Sequence, residues 1–130
     1  MAPRINERET VARFLRKGDF SATKMRARRQ AFEPVWYDQD SRFETSVYRV
    51  STRSADEMTQ IAIDHVEPSR GRQAARAMLS IADARSVLLD VDSAAPPPRH
   101  AVIVGWSKND EDHMSAALEL VNLARVELLF

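Results

Sequence analysis

The strongest hydrophobic signal in the chain is the apolar run at residues 101–104, between a proline-rich segment and a glycine. A short run rich in β-branched residues is typical of a strand that is buried on both faces. The three prolines at 96–98 each fix φ and lack a backbone donor, which favours an extended polyproline approach. We therefore predict an interior strand at 101–104, with Arg99 and His100 at its entrance.

Three further segments have apolar side chains at helical spacing. In residues 6–17 they recur at i, i+3 and i+4, which predicts an amphipathic helix with a basic outer face. Ser54 and Glu57 form the pattern of a capping box, which predicts a helix over 55–66. Residues 109–124 begin with a good N-cap and an acidic first turn, and they carry a sustained apolar stripe, which also predicts a helix.

The remaining elements are predicted from shorter patterns. Residues 43–51 favour a strand, although neither of its faces is purely apolar. Residues 72–89 fit one long helix, but we prefer a strand at 76–80, a helix at 81–88 and a strand at 88–92. Ser80 can cap that helix, which supports the second interpretation. Residues 125–130 fit either one more helical turn or an edge strand.

Together these elements predict one α+β domain over residues 1–130. We expect a small, mostly antiparallel sheet of three to five strands, packed by two to four helices. A basic N-terminal helix and loop, at about residues 1–34, is expected to dock on this body.

Composition excludes several classes of protein. There are no cysteines, which excludes disulfides, thiolate metal sites and a cysteine nucleophile. No apolar run approaches the length of a membrane-spanning helix, and the first residues lack the apolar core of a secretory signal. We therefore expect a cytoplasmic protein without a membrane partner. Arginine outnumbers lysine 16 to 3, a bias typical of GC-rich coding DNA, so we expect a bacterial source.

The charge is unevenly distributed although the net charge is zero. Residues 1–29 carry nine basic and three acidic side chains. Such asymmetry is typical of proteins that contact a polyanion or an acidic protein surface. The candidate residues for nucleic-acid binding are Lys24, Arg26, Arg28 and Arg29.

The sequence carries none of the strong catalytic motifs. Its three histidines do not form a zinc-binding pattern, and three glycines are too few for a phosphate-cradling loop. We therefore predict no metal and no cofactor. His100 is a candidate acid or base because of its imidazole chemistry. The candidate binding residues for an anion or another ligand are Arg49, Arg76, Arg99, His100 and Trp106.

These observations favour a small, non-catalytic binding module that acts through protein–protein contacts. The expected partner is another protein or a second copy of the chain, as in accessory or immunity-type bacterial components. One alternative is nucleic-acid binding through the basic segment 4–29. The other is a small enzyme or an anion-binding site around His100.

Overall fold

Nine strands run through residues 5–130, the part of the chain that the computed structural model describes. They are β1 (Thr10–Leu15), β2 (Phe20–Ser21), β3 (Arg26–Ala27), β4 (Val35–Tyr37), β5 (Arg42–Arg49), β6 (Ala75–Ser80), β7 (Asp90–Ser93), β8 (His100–Val104) and β9 (Arg125–Leu128). Seven strands form one antiparallel sheet in the order β7-β8-β5-β1-β6-β9, and β4 also pairs with β5. Strands β2 and β3 form a separate hairpin.

The predicted sheet of three to five strands is therefore wrong, because the sheet has seven. The largest error is the helix predicted at 6–17, where the structure has strand β1. Val11 and Leu15 lie in one core, whereas Ala12 and Phe14 lie in the other. A strand that is buried on both faces has no polar positions to alternate with, so its apolar spacing can imitate a helix. In the described residues, the predicted basic N-terminal helix and loop is strand β1 followed by the β2–β3 hairpin, whereas residues 1–4, with Arg4, lie outside the described part.

Two short 3-10 turns, Lys17–Asp19 and Arg29–Ala31, come before the first α-helix. The other helical segments are α1 (Ala55–Ile61), a π-helical turn (Ala62–Val66), α2 (Glu67–Arg70), α3 (Ile81–Ser86) and α4 (Asp110–Leu123). The first three of these are continuous, so this helix extends past its predicted end at 66. Pro68 does not end it, because the proline lies in the first turn of α2 directly after the π-helical turn, where a residue without an amide hydrogen is tolerated. Among the helices of residues 5–130, none is long and apolar enough to cross a bilayer.

The helix starts are fixed by the side chains that the sequence indicates. Ser54 and Glu57 form a reciprocal capping box at α1, with both hydrogen bonds at 3.1 Å. Ser80 and Asp83 form a second one at α3, with both bonds at 3.0 Å. Asn109 caps α4 by accepting a hydrogen bond from the backbone of Glu111. The preferred strand–helix–strand interpretation of 76–92 is confirmed.

Helices cover both faces of the sheet. The main core lies on one face and includes Leu15, Val47, Ile103 and Leu120 from the sheet and α4. The smaller core lies on the other face, where Phe14, Tyr48 and Met78 pack against α1, the π-helical turn and residues around them. The polar side chains that interrupt the apolar pattern of β5 have partners, since Thr45 donates to the Phe32 carbonyl at 2.9 Å and Glu44 pairs with Arg42.

The interior strand predicted at 101–104 is confirmed, because β8 lies between β7 and β5 in the sheet. The proline segment that leads into β8 does not have the extended polyproline conformation that the sequence predicted. The Ala94 amide donates to the His100 carbonyl at 2.8 Å, and the His100 amide donates to the Pro97 carbonyl at 3.1 Å. The proline segment is therefore a closed loop that returns the chain to the sheet. The C-terminal segment adopts the edge-strand alternative as β9.

Candidate functional site

A gap between β1 and β5 creates a polar site in the sheet. The two strands pair at Val11 with Arg49 and at Ala12 with Tyr48. Beyond these two positions the backbone pairing between the strands stops, and the Arg13 side chain lies between them. Its Nε donates to the Ala31 carbonyl at 2.9 Å, and its Nη1 donates to the Ser46 carbonyl at 2.8 Å. These two bonds hold the guanidinium group in the gap.

The gap opens into a cavity of about 70 Å³, which we call the arginine pocket. One water needs roughly 10–15 Å³ of such volume, so the pocket has room for a small polyatomic ion. Among the described residues, the lining contains two arginines and no acidic side chain. The lining residues are Arg13, Phe14, Ser46, Tyr48, His65, Val66, Ser69 and Arg70.

The two positive charges in the lining are not neutralised by close carboxylates. Within residues 5–130, neither Arg13 nor Arg70 has an Asp or Glu oxygen within salt-bridge distance. Burial and, next, the charge of Arg70 lower the pKa of Arg13 to about 10. Asp19 and Tyr37 act in the opposite direction. Arg13 therefore stays charged at neutral pH, and a bound anion would stabilise its charged form.

Aromatic rings form one wall of the arginine pocket. Tyr48 lies with its ring centroid 6.4 Å from that of His65, and the two planes differ by 17°. The ring centroid of Tyr48 is also 5.2 Å from that of His100, with the two planes tilted by 48°. Burial raises the pKa of Tyr48 above its ordinary value, so its hydroxyl stays protonated at neutral pH and can donate a hydrogen bond.

Ser46 connects the arginine pocket to His100. The Ser46 Oγ lies 2.6 Å from Nε2 of His100, and Nδ1 of His100 lies 3.0 Å from the Ala94 carbonyl. A carbonyl oxygen can only accept, so this contact assigns the proton of a neutral imidazole to Nδ1. Nε2 then accepts the hydrogen bond of the Ser46 hydroxyl. The closed loop at 94–100 thus orients the imidazole toward the serine.

The five predicted binding residues do not form one site. His100 contacts two residues of the arginine pocket, Ser46 and Tyr48. Trp106 lies beyond the opposite end of β8, where its Nε1 donates to the Ile103 carbonyl at 3.0 Å in the main core. Arg99 is exposed beside His100, with a positive φ of 69°.

The other two predicted binding residues are paired with carboxylates. Arg49 makes a two-point contact with Glu9, with both distances at 2.9 Å. Arg76 is buried, and its Nη2 lies 3.7 Å from the carboxylate of Glu127 on the neighbouring strand. Both arginines therefore have a structural partner that competes with any external anion.

Three of the four predicted nucleic-acid residues lie on or directly after the β2–β3 hairpin. Lys24, Arg26 and Arg28 are exposed and line one open hollow of about 330 Å³. Arg26 also donates to the side chain of Asn122 on α4. Arg29 points elsewhere, since its Nε lies 3.3 Å from the Glu33 carboxylate.

Sequence reasoning missed most of the arginine pocket. The missed residues are Arg13, Ser46, Tyr48, His65 and Arg70. Arg13 lies in the segment predicted as a helix, near the edge of its basic face, and Arg70 lies beyond the helix end predicted at 66. One signal was available: an arginine inside an apolar run that is read as a strand must either pair or face a polar cavity. That signal required the correct strand assignment of 10–15.

No group of three or more potential metal ligands exists among residues 5–130. No protein-family model, curated protein or solved structure matches the chain. The geometry of the site is therefore the basis for the functional proposal.

Proposed function

We propose that this domain binds a small oxyanion, phosphate or a phosphate-bearing metabolite, in the arginine pocket. The observation that carries the proposal is a cavity lined by two arginines without a carboxylate partner within 4 Å and without an acidic lining residue among those described. Placing two like charges at a partly buried site costs free energy unless a counter-charge is present. An oxyanion supplies that counter-charge.

The hydrogen-bonding groups of the pocket suit an oxyanion as well. Arg13 uses Nε and Nη1 for backbone carbonyls, which leaves Nη2 for a ligand. Ser46, Tyr48 and Ser69 add hydroxyl groups to the lining. Guanidinium groups bind phosphate through paired, charge-assisted hydrogen bonds, which are stronger than neutral ones.

The test is anion-dependent stability with matched arginine variants. We expect phosphate and sulfate, but not chloride at equal ionic strength, to stabilise the protein. At a phosphate concentration of 100 times Kd the gain is about 2.7 kcal/mol. Arg70→Gln removes a pocket charge and should weaken binding by roughly 10- to 100-fold.

Arg72→Gln is the matched control. Arg72 is exposed two residues away and lies over the ring of Phe130, at 5.7 Å from its centroid. It carries the same charge but does not line the pocket. Equal binding by wild type and Arg70→Gln, or equal stabilisation by chloride and phosphate, would contradict the proposal.

A second candidate function is nucleic-acid binding by the hairpin, favoured by the shared hollow of Lys24, Arg26 and Arg28. Each phosphate contact that is lost reduces the slope of log affinity against log salt by roughly 0.7 to 0.9. We therefore expect Lys24→Gln and Arg28→Gln each to flatten the salt dependence of oligonucleotide binding. Arg29→Gln is the control, because that side chain is paired with Glu33.

The expectation of a protein partner stays a prediction. The first surface to test is β4, where Val35, Trp36 and Tyr37 are 61%, 43% and 44% exposed. Replacement of Val35 and Trp36 by serine, followed by measurement of the solution mass, tests whether β4 mediates self-association.

A further inference from the structure

The bond between Ser46 and His100 has the geometry of an activated nucleophile. An imidazole whose Nδ1 is held by an acceptor presents a basic Nε2 to its other partner. Here that partner is a hydroxyl at 2.6 Å, within the range that proton transfer between a nucleophile and its base requires. The orienting group is a backbone carbonyl, that of Ala94, rather than a carboxylate.

This serine is also a lining residue of the arginine pocket. Its own carbonyl oxygen accepts a hydrogen bond from Nη1 of Arg13 at 2.8 Å, so the guanidinium group is fixed next to the same residue. The nucleophile, the base and the Arg13 guanidinium group are thus brought together from three strands, β5, β8 and β1, while Arg70 comes from α2. Such an arrangement exceeds what binding an anion requires.

We propose that Ser46 and His100 hydrolyse phosphate monoesters, with the phosphate group held by Arg13 and Arg70. This proposal rests on the proposed function, since the substrate phosphate occupies the arginine pocket. Positioned guanidinium groups stabilise the charge that develops on the transferring phosphoryl group.

The reaction has two balanced steps. In the first, Ser46 Oγ forms a bond to phosphorus while its proton passes to His100 Nε2. The bond from phosphorus to the ester oxygen breaks, its electron pair stays on that oxygen, and the oxygen takes the proton from His100 to leave as an alcohol. In the second step, water attacks the phosphoserine and gives a proton to His100. The bond from Oγ to phosphorus breaks, Oγ takes up that proton, and inorganic phosphate remains.

The test is hydrolysis of p-nitrophenyl phosphate by the full chain in the presence of a metal chelator. We expect turnover by the wild type, with Ser46→Ala and His100→Gln slower by at least about 100-fold, the contribution of a positioned base or nucleophile. Acid-quenched wild type should show a mass increase of one phosphoryl group on the peptide that contains Ser46. Thermal unfolding of each variant establishes that it folds.

Ser93→Ala is the matched control and should keep the wild-type rate. Ser93 is exposed on β7 and does not line the arginine pocket. Equal rates for Ser46→Ala and the wild type would overturn the proposal, because the activity would then belong to another group. Hydrolysis of p-nitrophenyl acetate without hydrolysis of the phosphate would overturn the substrate class.

Phosphate binding measured on the same proteins separates the two proposals. If the wild type is stabilised by phosphate but hydrolyses no phosphate ester, the catalytic proposal fails and the binding function stands. If the wild type neither binds phosphate nor hydrolyses the ester, both fail. Ser46→Ala that binds phosphate without turnover is the result that supports both.

Discussion

Glu9 and Arg49 form a two-point ion pair that joins the start of β1 to the end of β5. Nε and Nη2 of the arginine each donate to a different carboxylate oxygen, both at 2.9 Å. The two side chains are 22% and 35% exposed, so solvent screens the pair only in part. This contact assigns Arg49 to holding the sheet together beside the place where β1 and β5 separate.

We therefore expect Arg49→Met to destabilise the protein without affecting anion binding. Partly exposed, bidentate pairs contribute roughly 1 kcal/mol, which urea unfolding resolves. Phosphate affinity should remain at the wild-type value, because the arginine pocket does not include Arg49. Loss of phosphate binding without a loss of stability would contradict this assignment and would show that Arg49 is a binding residue, as predicted from the sequence.

Local chemistry in the sequence was sufficient for the elements that carry their own start signals. The capping boxes of Ser54 and Ser80 located α1 and α3, and the β-branched run located β8. These signals depend only on neighbours within a few residues, so they predict the local structure without any knowledge of the tertiary fold. The strand–helix–strand order at 76–92 followed from the same logic.

The number of strands in the sheet and the arginine pocket could not be predicted in this way, because both depend on contacts between residues far apart in the chain. Strand β1 pairs with β6 along its whole length, from Thr10 opposite Ser80 to Leu15 opposite Ala75. No local pattern within 6–17 indicates this partner, because the paired residues lie 60 to 70 positions apart in the chain. Arg13 and Arg70 meet only when β1 and α2 are both placed, so their unbalanced charge was invisible in the sequence. The same holds for the contact of Ser46 with His100.

The capping box at α1 gives a prediction about acid stability. The pKa of Glu57 is lowered, chiefly by the hydrogen bond from the Ser54 amide and next by the Ser54 side chain. A lowered pKa in the folded state contributes stability that is complete above the unfolded pKa of about 4.5 and is lost as the pH falls through the folded value.

We expect Glu57→Gln to be less stable than the wild type at neutral pH. The difference should disappear in acid, because the protonated glutamic acid and the glutamine then carry the same charge. Thermal unfolding of both proteins between neutral pH and pH about 3 measures this convergence. A stability difference that persists unchanged in acid would show that the carboxylate charge is not its source.

Gly105 is predicted to tolerate no side chain, whereas Gly18 is predicted to tolerate one. Gly105 has a φ of 93°, and an added Cβ would lie 3.3 Å from the Leu88 carbonyl oxygen and 3.4 Å from the Leu89 Cα. Gly18 has nothing within 4 Å of that position. Gly105→Ala should therefore cost roughly 1–3 kcal/mol in urea unfolding, and Gly18→Ala should be close to neutral. Equal effects of the two changes would contradict this reasoning.

The lowered pKa of Arg13 predicts how anion affinity depends on alkaline pH. Burial and the charge of Arg70 reduce that pKa to about 10. Sulfate keeps its charge in this range, and Tyr48 stays neutral because burial raises its pKa. Sulfate affinity should thus stay constant from neutral pH upward and fall as Arg13 loses its proton near pH 10. A bound anion favours the charged arginine, so saturating sulfate should move the fall in affinity to higher pH.

Titration calorimetry of the wild type and Arg70→Gln measures both effects. Without the neighbouring charge of Arg70, the fall in the weaker residual affinity should occur at higher pH. Affinity that does not change through this range would show that Arg13 does not contact the anion.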